Sequence, residues 1–204
     1  MTESKPAPID FYFEFASPYG YFAALEIDDL AGRHGRTVTW RPFLLGAALK
    51  ITNMTPFPNT PLRGDYFRRD VPRCGRRLGR PVVMPATMPM NGLAATRAFY
   101  WLAERDPGLA RALALAVYRG HWEGGRDMSA IDAVAEVAAP LGVDPARLSE
   151  ALQDPAVKER ARRETDAAIA AGVFGSPFMI VDGEPFWGHD RLGDVERWLE
   201  TGGW

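Results

Sequence analysis

The residues best placed for chemistry are Phe15-Ala16-Ser17-Pro18-Tyr19-Gly20. Serine is a favoured helix N-cap and proline is favoured at the first helical position, so a helix should start here. A helix start carries unpaired backbone N–H groups and the positive end of the helix dipole. On local sequence Ser17 therefore has two readings. It is a cap and nothing more, or it is a cap whose hydroxyl also donates to an anion, such as a thiolate brought from outside. Lowering a thiol pKa by one unit requires about 1.4 kcal/mol, and dipole plus hydrogen bond together supply about one to two units. A covalent role for Ser17 has little behind it: no Gly-x-Ser-x-Gly elbow surrounds it, and the three histidines form no recognisable base motif. Cys74 is the single cysteine. It cannot form an internal disulfide, which fits a reducing compartment, and nothing in the sequence supports a reactive role for it. No residue is assigned to a metal.

A second constellation is Gly172-Val173-Phe174-Gly175-Ser176-Pro177, a proline placed just before a strand. If the Ser176-Pro177 bond is cis, the Ser176 backbone lies open beside Ser17 and can pair with a peptide-like ligand in strand fashion. Glutathione is such a ligand.

The elements that must position these groups are legible from periodicity. Ile9, Phe11, Phe13 and Phe15 point one way and Asp10, Tyr12 and Glu14 the other, a period of two and hence a strand. From Pro18 one helix is expected, with Ala23, Ile27, Leu30 and Ala31 as its buried stripe and Gly35 as its stop. Thr37 to Phe43 reads as a second strand, parallel to the first. A Pro-rich loop (Pro56, Pro58, Pro61) opens a long helical stretch. Its segments run from Asn91 to Glu104, from Gly108 to Arg119, from a capping box at Ser129 and Asp132, and from Pro155 to Ala171. Phe178 to Val181 and Glu184 to Trp187 form a hairpin around Asp182-Gly183. A last helix covers about Arg191 to Thr201. The order is βαβ, helices, ββα. This is an α/β chain with a thioredoxin-like fold (residues 1–46 and 172–204) and a large all-helical insertion (residues 47–171).

A chain of 204 residues with 47% apolar side chains is long and apolar enough for a packed core. The net charge of −2 argues against nucleic acid or an anionic membrane as partner. The segment 63–80 departs from this balance, with seven arginines against two aspartates, as a solvated helix face or as a pocket wall for an anion. The polar start of the chain lacks the apolar segment of a signal peptide, and no stretch approaches the roughly 18 apolar residues of a membrane span. A soluble, cytoplasmic protein is expected.

Five stretches in order resemble the 2-hydroxychromene-2-carboxylate isomerases and their relatives, the kappa-class glutathione transferases, in the DsbA-like thioredoxin superfamily. They are Asp10 to Tyr19 (DFYFEFASPY), Trp40 to Gly46 (WRPFLLG) with Asn53 following, Trp122 to Ser129 (WEGGRDMS), Gly172 to Pro177 (GVFGSP) and Phe186 to Leu192 (FWGHDRL). Where redox members carry Cys-x-x-Cys, this chain has Ser17 and Gly20, so dithiol exchange is excluded. The resemblance implies glutathione as cosubstrate, a homodimer and a small aromatic carboxylate substrate. It implies Ser17 at the glutathione sulfur, with Ser176 and Pro177 at the cysteinyl part. Asn53 then matches a polar contact, Arg63 meets a carboxylate, and Asp190 and Arg191 lie near the γ-glutamyl end. Each has a plainer alternative: Asp190 as a helix cap, Arg191 as a surface arginine, and Asn53 and Arg63 as loop residues that align differently. His189 is read as solvent-facing or at the pocket rim, His34 and His121 as structural, and Trp122 as core. Cys74 stands where relatives carry an aromatic residue, which leaves the substrate-side wall undefined. The implied reaction is isomerisation by reversible addition of glutathione thiolate. The alternatives are a kappa-type transferase or peroxidase, and a non-catalytic thioredoxin-like binding module.

Overall fold

A computed structural model describes residues 6–204; the start of the polar segment, residues 1–5, lies outside the described residues. Strand β1 (Ile9–Phe13) occupies the middle of a four-stranded sheet of order β2-β1-β3-β4. It pairs in parallel with β2 (Val38–Pro42), from Ile9 opposite Val38 to Phe13 opposite Pro42. On its other side it pairs antiparallel with β3 (Phe178–Val181), Phe11 opposite Met179. Strand β4 (Glu184–Trp187) closes a hairpin with β3 through Asp182 and Gly183, both at positive φ, the geometry of a two-residue primed turn.

Both faces of the sheet are covered. Phe11, Phe13 and Phe15 are fully buried with Trp40, Phe99 and Tyr118, and each contributes about 1.5–3 kcal/mol of burial. The opposite face also carries a small core of Tyr12, Phe43, Ala48, Ala168, Val173 and Phe178. Helices α3 (Leu45–Thr52) and α9 (Pro155–Ala170) supply this second cover.

The expected first helix is two helices. α1 (Pro18–Ala24) ends where the N–H of Leu25 is shared between Tyr21 and Phe22 and that of Glu26 turns to Ala23, a tightening that closes the helix. α2 (Ile27–Arg33) then runs to Gly35, whose φ of 65° ends it as expected. The middle of the chain holds α4 (Arg63–Arg77), α5 (Leu93–Ala103), α6 (Pro107–Tyr118), α7 (Ile131–Ala138) and α8 (Pro145–Ala151). The capping box at Ser129 does not form. Helix α7 starts from Ala130, because the Ser129 hydroxyl accepts the N–H of Asn91 and Asp127 accepts that of Ser129. Helix α10 (Leu192–Thr201) closes the chain. Among the described residues no helix is long and apolar enough to cross a membrane.

Candidate active site

Three segments converge at the carboxyl end of β1: the turn into α1, the loop before β3, and the N-terminus of α5. Ser17 is the N-cap of α1 and is 8% exposed. Its Oγ accepts the Gly20 N–H at 3.0 Å and donates to the Ser176 carbonyl at 2.9 Å. The cap and the cross-loop contact thus use the same hydroxyl. The Ser176-Pro177 bond is cis. The Ser176 N–H makes no hydrogen bond among the described residues, and its carbonyl is held only by the Ser17 side chain. One peptide edge is therefore open beside a helix N-terminus, an edge with which an extended peptide can pair.

Gly20, at the second redox position, has no room for a side chain. A Cβ there would lie 2.8 Å from both Ser176 Oγ and Tyr118 Oη. Tyr118, fully buried at the end of α6, donates to the carbonyl of Glu14 at 3.0 Å. The same carbonyl accepts the N–H of Ser17 at 2.9 Å. The N–H of Glu14 donates to Ser176 Oγ at 2.9 Å. Glu14 is the residue on which the site's backbone converges, and alternation alone placed it only on the face opposite the phenylalanines. Its signal in the sequence is a lone acid in an aromatic run, three residues before Ser17. Burial pushes its carboxyl up to about 8, against the one N–H it accepts, from Ala16.

Further groups brace α1. Tyr19 donates to Asp70 Oδ2 on α4 at 2.8 Å, and Tyr66 and Arg73 donate to the same carboxylate. Burial pushes Asp70 up, but these hydrogen bonds outweigh it and hold the acid below its ordinary value. Tyr21 hydrogen-bonds Glu123, which also pairs with Arg80 at 2.8 Å. Neither brace is visible in the sequence, because the partners lie 51 and 102 residues apart.

Of the residues expected at the site, the structure joins Ser17, Ser176 and Pro177. Gly188 N–H donates to the Pro177 carbonyl at 3.1 Å, which brings the segment of Asp190 and Arg191 to the same loop. Asp190 does not cap α10; the N-cap is Arg191, without a side-chain bond, and Arg191 pairs with Asp194 at 3.0 Å. Asn53 ends α3 in the left-handed conformation and is exposed. Arg63 begins α4, its guanidinium over the Phe57 ring at 5.3 Å. No hydrogen bond links Asn53 or Arg63 to Ser17 or Ser176 among the described residues. His189 is buried, not solvent-facing: it packs on Phe22 and lies 3.3 Å from Glu26 Oε2. Burial lowers its pKa despite that carboxylate. His121 and Trp122 are core residues. The arginines divide: Arg73 and Arg80 are paired, Arg77 abuts His189, and Arg68, Arg69 and Arg76 are exposed. Cys74 is half-buried with its Sγ 3.6 Å from Asp70, and burial pushes the thiol up from its ordinary value.

Comparison with known proteins gives the family. Residues 8–200 match the model of the DSBA-like thioredoxin domain. A 2-hydroxychromene-2-carboxylate isomerase of Sphingobium xenophagum is 31% identical over 193 residues, covering 94% of this chain and 97% of that protein. A glutathione S-transferase kappa 2 of Caenorhabditis elegans is 27% identical, covering 94% and 91%. Among solved structures, a 2-hydroxychromene-2-carboxylate isomerase superposes with a TM-score of 0.85 at 30% identity, covering 94% of each chain.

Proposed function

The chain belongs to the 2-hydroxychromene-2-carboxylate isomerase family within the DSBA-like thioredoxin domains, and from that membership we propose that it is a glutathione-dependent isomerase of an aromatic 2-oxo acid. The observation that carries the reading is the shared position of the Ser17 hydroxyl and the open Ser176 peptide edge at one helix N-terminus. Both fit a peptidic thiol, and the packed Gly20 position excludes a protein disulfide there.

Bound glutathione supplies the thiolate, whose addition to a conjugated carbon turns a double bond into a rotatable single bond before the thiolate leaves again. The chain's own residues hold and bias this chemistry. Ser17 redirects its hydroxyl from the Ser176 carbonyl to the sulfur, and the α1 N-terminus favours the negative charge. The freed Ser176 carbonyl and its N–H take the cysteinyl backbone. Asn53, Arg63, Asp190 and Arg191 are assigned to the outer parts of the tripeptide, and the segment 47–171 to the wall facing the aromatic acid. Exposed Ile51, Leu62 and Tyr66 support this segment as the contact of a homodimer. With its one cysteine reduced, the protein is assigned to the cytoplasm.

The kappa-class relative supports a second reading, conjugation or peroxide reduction by the same thiolate. Assaying a thiol-dependent isomerisation and a conjugation side by side separates the two. In either assay Ser17→Ala should lose most glutathione-dependent turnover; unchanged turnover removes Ser17 from the mechanism, and absent glutathione affinity leaves only a binding module.

A further inference from the structure

Behind the Ser17 turn lies an acid with no cation to hold it. Glu14 is 6% exposed. Its Oε2 accepts the Ala16 N–H at 2.8 Å. Its Oε1 packs against Gly92, the N-cap of α5, so closely that a Cβ there would fall on the oxygen. Among the described residues no lysine or arginine pairs with it. Its backbone meanwhile holds the site together: the N–H binds Ser176 Oγ, and the carbonyl binds the Ser17 N–H and the Tyr118 hydroxyl. The carboxyl is therefore fixed relative to Ser17.

The groups that face it from each neighbour are few. The turn into α1 presents Ala16 and Ser17, the loop before β3 presents the Ser176 hydroxyl, and α5 presents Gly92. Helix α6 presents the Tyr118 phenol, which burial and then Glu14 itself hold well above its ordinary pKa. Glu14 is thus the member of this cluster that changes charge in the neutral to alkaline range.

We infer that Glu14 is a positioning residue: the protonation of its buried carboxyl sets how readily the thiol delivered to Ser17 ionises. The inference rests on the glutathione reading above. While Glu14 is neutral, the helix N-terminus and the Ser17 hydroxyl serve a single negative charge. Once Glu14 ionises, a second negative charge sits on the carboxylate that accepts the Ala16 N–H, one residue before Ser17, and a like charge so placed opposes thiolate by about one pKa unit. The coupling is reciprocal, so a bound thiolate must resist ionisation of Glu14 by the same factor.

The test follows the Glu14 carboxyl carbon by NMR in protein labelled at glutamate, with Glu14→Gln to assign the signal. Without ligand the midpoint is expected near 8. Saturating glutathione should raise it by about one unit, whereas S-methylglutathione, which has no thiol proton, should leave it in place. In parallel, thiolate absorbance of bound glutathione should rise in one step in Glu14→Gln and be retarded above the Glu14 midpoint in the wild type. A Glu14 midpoint that glutathione leaves unmoved, an equal shift with the S-methyl analogue, or identical thiol titrations in both proteins overturns the inference. Calorimetry distinguishes the two levels. Glutathione binding with an unmoved Glu14 sinks this inference alone, while no binding sinks the glutathione reading with it.

Discussion

Gly20→Ala tests the packing at the vacated redox position. In an exposed helix this change gains about 1 kcal/mol from helix propensity. Gly32 on α2 provides that reference, since a Cβ there meets nothing within 4 Å. At Gly20 the same methyl meets Ser176 Oγ and Tyr118 Oη at 2.8 Å and Ser17 Cβ at 3.3 Å. Two hydrogen bonds must then give way, the part-buried Glu14 N–H to Ser176 Oγ and the buried Tyr118 hydroxyl to the Glu14 carbonyl. Each is worth about 1 kcal/mol net, and more if a partner is left buried and unpaired. The expected balance is a loss of about 1–3 kcal/mol for Gly20→Ala against a gain of up to about 1 for Gly32→Ala. Urea denaturation of both variants reads this directly. Combining Gly20→Ala with Tyr118→Phe removes one of the two obstructing oxygens, so the methyl should cost less in that background. Equal stabilisation by the two alanines, or no relief from Tyr118→Phe, would refute the reasoning.

Other expectations follow from the same contacts. Glu14 gives stability a definite pH slope. Between about 4.5 and 8 the native state holds a proton that the unfolded chain releases, so stability should fall as pH rises, by up to about 1.4 kcal/mol per unit. Glu14→Gln should flatten that slope in denaturation series run across this range, and an unchanged slope contradicts the buried acid. Trp187 packs its indole against Gly175, next to the loop that carries Ser176. Trp187→Ala should therefore weaken glutathione binding several-fold in calorimetry while the fold persists by circular dichroism; unaltered affinity would show that the loop holds its position without the indole.

Much of the frame was legible because its signals are local. The alternation from Ile9, the Ser17-Pro18 cap and the Asp182-Gly183 turn each lie within a few residues; the cap and the turn appear as read, while the strand ends at Phe13 rather than Phe15, the chain already turning at Glu14, whose carbonyl accepts the Ser17 N–H. The cover on β1's second face was not legible, because α3 and α9, which supply it, come from distant sequence beyond the reach of any periodicity. Glu14 and His189 are buried for that kind of reason: the elements that enclose them, α5 and α6 for one, Phe22 of α1 and Arg77 of α4 for the other, come from distant sequence. Ser129 failed as a cap because Asn91, 38 residues earlier, and not its own helix, offers the N–H its hydroxyl binds. At the site, the proposed roles of Ser17 and Ser176 lean on the ordered family stretches, since a serine at a helix start is ordinarily a cap.

The central claim is that Ser17 donates to a sulfur that is not its own. The most direct measurement is the ionisation of protein-bound glutathione, followed by thiolate absorbance across pH, in the wild type and in Ser17→Ala. The account expects the bound thiol to titrate about one to two units below the free thiol, and to recover about one unit in Ser17→Ala. A bound thiol that titrates like the free one, or one equally acidic without the Ser17 hydroxyl, contradicts it.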